Sequence, residues 1–97
     1  MWLLVDDKRD LNCECIARNS EAAKRLIALG GWECVCFDHD LGEKTDGYDI
    51  LCWALENDFL PDMVQIVTSN PVGKERMSLA LKNAGYGTNN NVNFYKG

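Results

Sequence analysis

A chain of 97 residues that is 46% apolar and 26% charged, with eight glycines and two prolines, has material for one hydrophobic core and is too apolar to stay disordered. Fifteen acidic against ten basic side chains leave a net charge of −5, which repels a phosphate backbone and excludes a broad basic nucleic-acid face. The longest apolar run, Ile50 to Leu55, and the run that stops at Asp6 are too short for a membrane span or a signal-peptide core, so a single cytoplasmic domain is expected.

Trp2 to Val5 is apolar on both sides, as a central buried strand should be, and ends at Asp6 and Asp7. Cys13 to Ala17 reads as a second strand. Ser20 offers an N-cap, Ala22, Ala23, Leu26 and Ile27 share one helical stripe, and Gly30-Gly31 supplies a stop. Glu33 to Phe37 is a third strand closing on Asp38-His39-Asp40, and Leu41 to Asp46 a polar loop. From Gly47 the spacing of Ile50, Leu51, Ala54 and Leu55 is helical, with Pro61 as its limit. Met63 to Val67 is a fourth strand ending at Thr68-Ser69-Asn70. Asn70 and Pro71 form an N-cap and first-turn pair for a helix that buries Met77, Ala80, Leu81 and Ala84 and ends at Gly85. Tyr86 to Asn91 reads as a loop and Val92 to Tyr95 as a last strand, followed by Lys96.

Alternating strands and helices predict an open, mostly parallel α/β sheet whose ligand site lies outside the carboxyl ends of its strands. Asp6, Asp7, Asp38, His39, Asp40, Thr68, Ser69 and Lys96 all follow strand ends. Any one acidic residue there is explained by turn and capping preference. Their recurrence after the first, third and fourth strands points instead to one pocket. Converging carboxylates repel unless a hard cation sits among them, so a Mg²⁺ site is expected. A lysine acting as a point charge and a Thr or Ser hydroxyl donor suit phosphoryl chemistry.

His39, the single histidine, is a candidate general acid or base, but in an extended segment it points away from the side shared by Asp38 and Asp40. Lys74 and Arg76 lie in the first turns of a helix, where the macrodipole disfavours cations unless an anion is near.

V-D-D at 5–7, F-D-H-D-L-G at 37–42 with D-G at 46–47, T-S at 68–69 and Y-K-G at 95–97 together resemble the response-regulator receiver fold. The resemblance implies metal binding by Asp6, Asp7 and Asp38, a phosphoacceptor position at Asp38, and phosphoryl contacts from Thr68 and Lys96. D-H-D-L-G at 38–42 with D-G-Y-D at 46–49, and S-N-P-V-G with a downstream Met at 69–77, look more specifically like the cyclic-phosphate-processing receiver family, a branch that lacks the first receiver helix. That family often has a histidine shortly before its S-x-N-P segment; Val67 and Thr68 stand there here.

The likeness implies a Mg²⁺-dependent phosphoesterase acting on cyclic or terminal phosphate, a small phosphorylated ligand or an RNA end. Asp40 or His39 would handle protons, and Ser69, Asn70 and Lys74 would join Thr68 and Lys96 on phosphate. A phospho-accepting signalling receiver and a catalytically silent interaction module are the alternatives.

The fold expected is a three-layer, receiver-like (flavodoxin-like) α/β domain. Its five-stranded, mostly parallel sheet has order 2-1-3-4-5 and lacks the first and last helices. The short link Lys8 to Asn12 would cross as an extended segment rather than form a hairpin, since seven extended steps reach about 23 Å. Both missing helices belong to one face in receivers, so a homodimer or a partner is expected over that face. The five cysteines are odd in number and read as reduced thiols. Cys13 with Cys15, and Cys34 with Cys36, would each share a sheet face, the two pairs roughly 10 Å apart across a strand, which argues against a shared zinc.

Overall fold

The computed structural model describes residues 1–97. It comprises β1 (Trp2–Val5), β2 (Cys15–Ala17), α1 (Ser20–Leu29), β3 (Cys34–Phe37), α2 (Gly47–Glu56), β4 (Met63–Ile66), α3 (Pro71–Asn83), β5 (Tyr86–Thr88) and β6 (Asn93–Lys96). The strands form one mixed sheet in the order β2-β1-β3-β4-β6-β5.

Period-two alternation sorts the strands into two faces. Leu3, Val5, Val35, Phe37, Val64, Ile66 and Phe94 point one way and bury with Ala23 and Ile27 of α1, Ile50, Leu51 and Ala54 of α2, and Met77 and Leu81 of α3. The other face carries Leu4, Cys34 and Cys36, flanked by Trp2, Cys13, Ile16, Met63 and Val67. All three helices therefore cover one face, giving two layers rather than the three expected. No helix links β1 to β2, and α1, α2 and α3 all pack on the first face. The open face is less wet than two-sided apolar strands imply. Leu4, Cys34 and Cys36 have no exposed surface, because Cys13 of the β1–β2 crossover and the larger flanking side chains lie against them.

β1 and β2 are parallel, pairing Leu3 with Cys15 and Val5 with Ala17, so the link between them is an extended crossover and not a hairpin. β1, β3 and β4 are also mutually parallel. Cys13 precedes β2 and packs on the open face, whereas Cys15 packs on the helical one, so these two thiols do not share a face. Asn19, not Ser20, caps α1, its side-chain oxygen accepting from the Ala22 N–H.

The largest departure from expectation is at the carboxyl end of the chain. Tyr86–Thr88, expected as loop, is a sixth strand at the sheet edge, and β6 returns beside it as a hairpin to lie antiparallel to both β5 and β4. The turn is tied by Thr88, whose Oγ1 donates to the Asn93 carbonyl at 2.7 Å and accepts from the Asn91 N–H at 2.9 Å. Asn90 Oδ1 accepts from the N–H groups of Val92 and Asn93, both at 2.9 Å. The four-residue link between β5 and β6 leaves only a hairpin possible, so β5 takes the parallel position reached through α3 and β6 inserts between it and β4.

Candidate functional site

β1, β3 and β4 end on the same side of the sheet, and there the chain places a cleft of about 330 Å³ bounded by Asp6, Asp7, Arg9, Asp38, Asp40 and Ser69. Parallel pairing of Val5 with Phe37 brings the residues that follow each strand side by side. Asp38 N–H donates to the Val5 carbonyl at 2.9 Å, continuing the ladder one step into the site. As a result Asp6, Asp7 and Asp38 each offer an oxygen within 4.8 Å of the others.

Asp6 is fully buried and Asp38 nearly so. Burial alone pushes the Asp6 carboxyl up, but the Lys8 and Arg9 backbone N–H groups, each 3.0 Å from its Oδ1, and the Arg9 guanidinium outweigh it and hold the carboxyl below its usual range. Asp38 moves the other way. Burial pushes its carboxyl up, a hydrogen bond from the Thr68 hydroxyl opposes this, and the Asp6 charge adds to the rise.

Arg9 is the residue that reading by strand ends misses. Its Nε donates to Asp6 Oδ2 at 2.8 Å, its Nη2 donates to the Val67 carbonyl at 2.6 Å, and the same Nη2 lies 3.5 Å from Asp38 Oδ1. Arg18 holds the loop in place by donating from Nη1 to the Arg9 carbonyl at 2.9 Å, while its Nη2 pairs with Asp10. A planar fork spanning two carboxylates and a carbonyl is a task for Arg rather than Lys. The signal was present in V-D-D-K-R, where Arg9 stands three residues after Asp6.

Lys96 is not in the cleft. Because β6 runs antiparallel, Tyr95 pairs with Met63 at the start of β4, and Lys96 lies at the opposite end of the sheet with its Nζ 3.6 Å from Asp58. The expectation that Lys96 contacts phosphate beside Asp38 is therefore overturned by strand direction. Lys74 also faces elsewhere, lining a groove along α3 with Ser78 and Lys82. Asn70 caps α3, its Oδ1 accepting from the Gly73 N–H at 3.0 Å, so that oxygen is occupied. Ser69 is exposed at the cleft wall. Thr68 Oγ1 also accepts from the Asn70 N–H at 3.1 Å.

Asp38 and Asp40 line the cleft and His39 does not. The imidazole turns under the first turn of α3, with Nδ1 3.1 Å from Asp40 Oδ1 and Nε2 3.4 Å from Asp46 Oδ2 without hydrogen-bond geometry. Two glycines make this possible. A methyl on Gly73 would stand 2.5 Å from His39 Cδ2 and 2.8 Å from its Cβ. One on Gly47 would overlap the Asp38 carbonyl, with His39 Cα at 3.1 Å. Gly47 N–H donates to the His39 carbonyl at 2.7 Å, and Asp46 begins α2 in a reciprocal capping box with Asp49. The spacing of D-H-D-L-G, D-G-Y-D and N-P-V-G thus encodes one packed junction of β3, α2 and α3.

Three oxygen donors at this separation fit a hard divalent cation with oxygen ligands. Arg9 supplies positive charge to the same carboxylates. No helix is long and apolar enough to cross a membrane. No curated protein and no solved structure matches the chain. Residues 1–83 match the model of the cyclic-phosphate processing receiver domain, a span that ends with α3 and stops before the reversed hairpin. Strand-end acids, glycine-bounded junction and sequence match agree: the chain belongs to the cyclic-phosphate processing receiver domain family.

Proposed function

We propose that the acidic cleft binds Mg²⁺ and hydrolyses a cyclic or terminal phosphate ester. The carrying observation is the convergence of Asp6, Asp7 and Asp38 within 4.8 Å of one another, beside the Arg9 guanidinium. Those three aspartates would hold the ion, which supplies charge neutralisation at the phosphate. Arg9 would bind a phosphoryl oxygen as a planar donor once released from the carboxylates, and the Ser69 hydroxyl at the cleft wall would donate to another. Thr68, whose hydroxyl opposes the rise at Asp38, would help to hold that carboxylate in its ionised form. Asp40, exposed at the cleft and contacted by His39 Nδ1, would take a proton from the attacking water as its oxygen bonds to phosphorus and return that proton to the ester oxygen whose P–O bond breaks; His39 would position Asp40 from behind.

The test is turnover of a 2′,3′-cyclic mononucleotide with Mg²⁺ by the wild-type protein and by Asp38→Ala. Loss of turnover in the variant is expected, and the same null result for both removes the proposal. The phospho-accepting alternative is less favoured, because the lysine it would use, Lys96, lies at the far end of β6.

A further inference from the structure

The chain's charge is unevenly distributed. Although the whole carries −5, residues 63–97 hold four basic side chains, Lys74, Arg76, Lys82 and Lys96, and one acidic one, Glu75. In the fold these cations separate: Lys96 pairs with Asp58 at the far end of the sheet and Arg76 lies over the Tyr48 ring, whereas Lys74 and Lys82 stay together on α3. Two of the four cations line a groove of about 480 Å³ between α3 and the β5–β6 turn, with Glu75 the one acidic side chain in it, and the acidic cleft does not use this groove. Lys74, Ser78 and Lys82 recur every four residues along one face of α3, so the two lysines stand about 12 Å apart along its axis. That separation matches two successive internucleotide steps of an extended strand.

The opposite wall is Asn90 and Asn91. Asn90 Oδ1 is consumed by the turn N–H groups, so the group it offers outward is its NH₂ donor. Neutral amide donors facing lysines suit phosphate and sugar oxygens. Leu79 is the one large apolar side chain present, and no aromatic ring lines the groove, so neither a peptide anchor nor base stacking is available. The groove also opens at the right place. Pro71 stands two residues after Ser69 of the cleft wall, and Asn90 and Asn91 follow the carboxyl end of β5, which is parallel to the strands that end at the cleft.

We propose that this groove binds the sugar-phosphate backbone of a single-stranded nucleic acid through Lys74, Lys82 and the Asn90 amide. Resting on the function proposed above, it carries the strand whose phosphate end enters the acidic cleft.

Fluorescence anisotropy with the 97-residue protein tests this, using labelled hexauridylate and hexathymidylate that both end in a 3′-hydroxyl. Without a phosphate end, binding is independent of the cleft chemistry, so a failed turnover assay and a failed groove are told apart. Two neutralised phosphates give a log–log salt slope of about −1.4. Lys74→Ala/Lys82→Ala should weaken binding at least fivefold at low salt and flatten the slope, with an unchanged thermal melt. Lys24→Ala, on α1, should bind as wild type. Equal affinity for the two oligonucleotides assigns recognition to phosphate alone, and preference for the ribose strand adds a 2′-hydroxyl contact; either supports the groove. Wild-type affinity in the double-lysine variant overturns the proposal, as does equal competition by a glutamate-rich peptide.

Discussion

Replacing Gly73 with alanine isolates the junction that turns His39 away from the cleft. In an open helix this change stabilises by up to about 1 kcal/mol, since alanine loses less backbone freedom than glycine. Here the new methyl would stand 2.5 Å from His39 Cδ2 and 2.8 Å from its Cβ, well inside ordinary contact. The ring has little freedom to retreat, because Asp40 and Asp46 approach its two nitrogens at 3.1 and 3.4 Å and the Asn70 amide stands 3.5 Å from Nδ1. Overpacking of this kind costs about 1–3 kcal/mol, so the expected net loss is about 1–2 kcal/mol, roughly a 1 M fall in the urea midpoint. With His39→Ala the obstruction is gone, and the same Gly73→Ala change should be neutral or stabilising, by up to about 1 kcal/mol. The double-mutant cycle should therefore give a coupling of about 2 kcal/mol. Gly73→Ala that unfolds at or above the wild-type urea midpoint while His39 is present refutes the reasoning.

Arg9→Ala leaves the Asp6 carboxylate with its two backbone donors but no countercharge. Discounted for a guanidinium that is 42% exposed, the loss should be about 1 kcal/mol in a thermal melt. Mg²⁺ affinity measured by calorimetry should rise, since the guanidinium no longer competes for the same oxygens; an unchanged or lower affinity contradicts that competition. Asp38→Asn should stabilise the fold at pH 7, because the folded state holds this carboxyl above its ordinary proton affinity and the charged form is disfavoured. The gain should shrink as pH falls through the raised folded value and vanish below the unfolded value of about 3.9. Asp6 has the opposite sign: it stabilises above the unfolded carboxylate value, and that contribution is lost as pH falls through its depressed folded value. Cys13, half-buried against Cys36, has its thiol pushed up to about 11, chiefly by burial. It should therefore alkylate with iodoacetamide at pH 8 more slowly than a free cysteine, and a faster rate by peptide mass mapping counts against the packed position.

Most of the helical layer was readable because each helix carries its own punctuation. α1 and α2 span the stripes that periodicity marks, and Asn70-Pro71 opens α3 as its capping chemistry requires. The parallel β1–β2 pairing followed from the reach of an extended link. Strand direction at the carboxyl end was not readable, since period-two alternation is the same in either orientation. Tyr86–Thr88 was obscured because it is three residues long, centred on a glycine and followed by three asparagines. The error on Lys96 came from that source: Y-K-G matches a receiver lysine in order along the chain, while the reversed strand delivers it to the wrong end. The aspartates were legible because they extend parallel strands directly. Arg9 was legible only in part: V-D-D-K-R places it three residues after Asp6, while its contacts with Asp38 and Val67 are set by loop geometry that no spacing rule contains.

The reversal of β6 also decides where the molecule can be handled. Gly97 emerges beside Gly85, at the end of the sheet where β4 begins, about 13 Å of strand length from the carboxylates. A fluorophore or surface tether joined after Gly97 would hold the protein by its back and leave the mouth of the cleft facing solution.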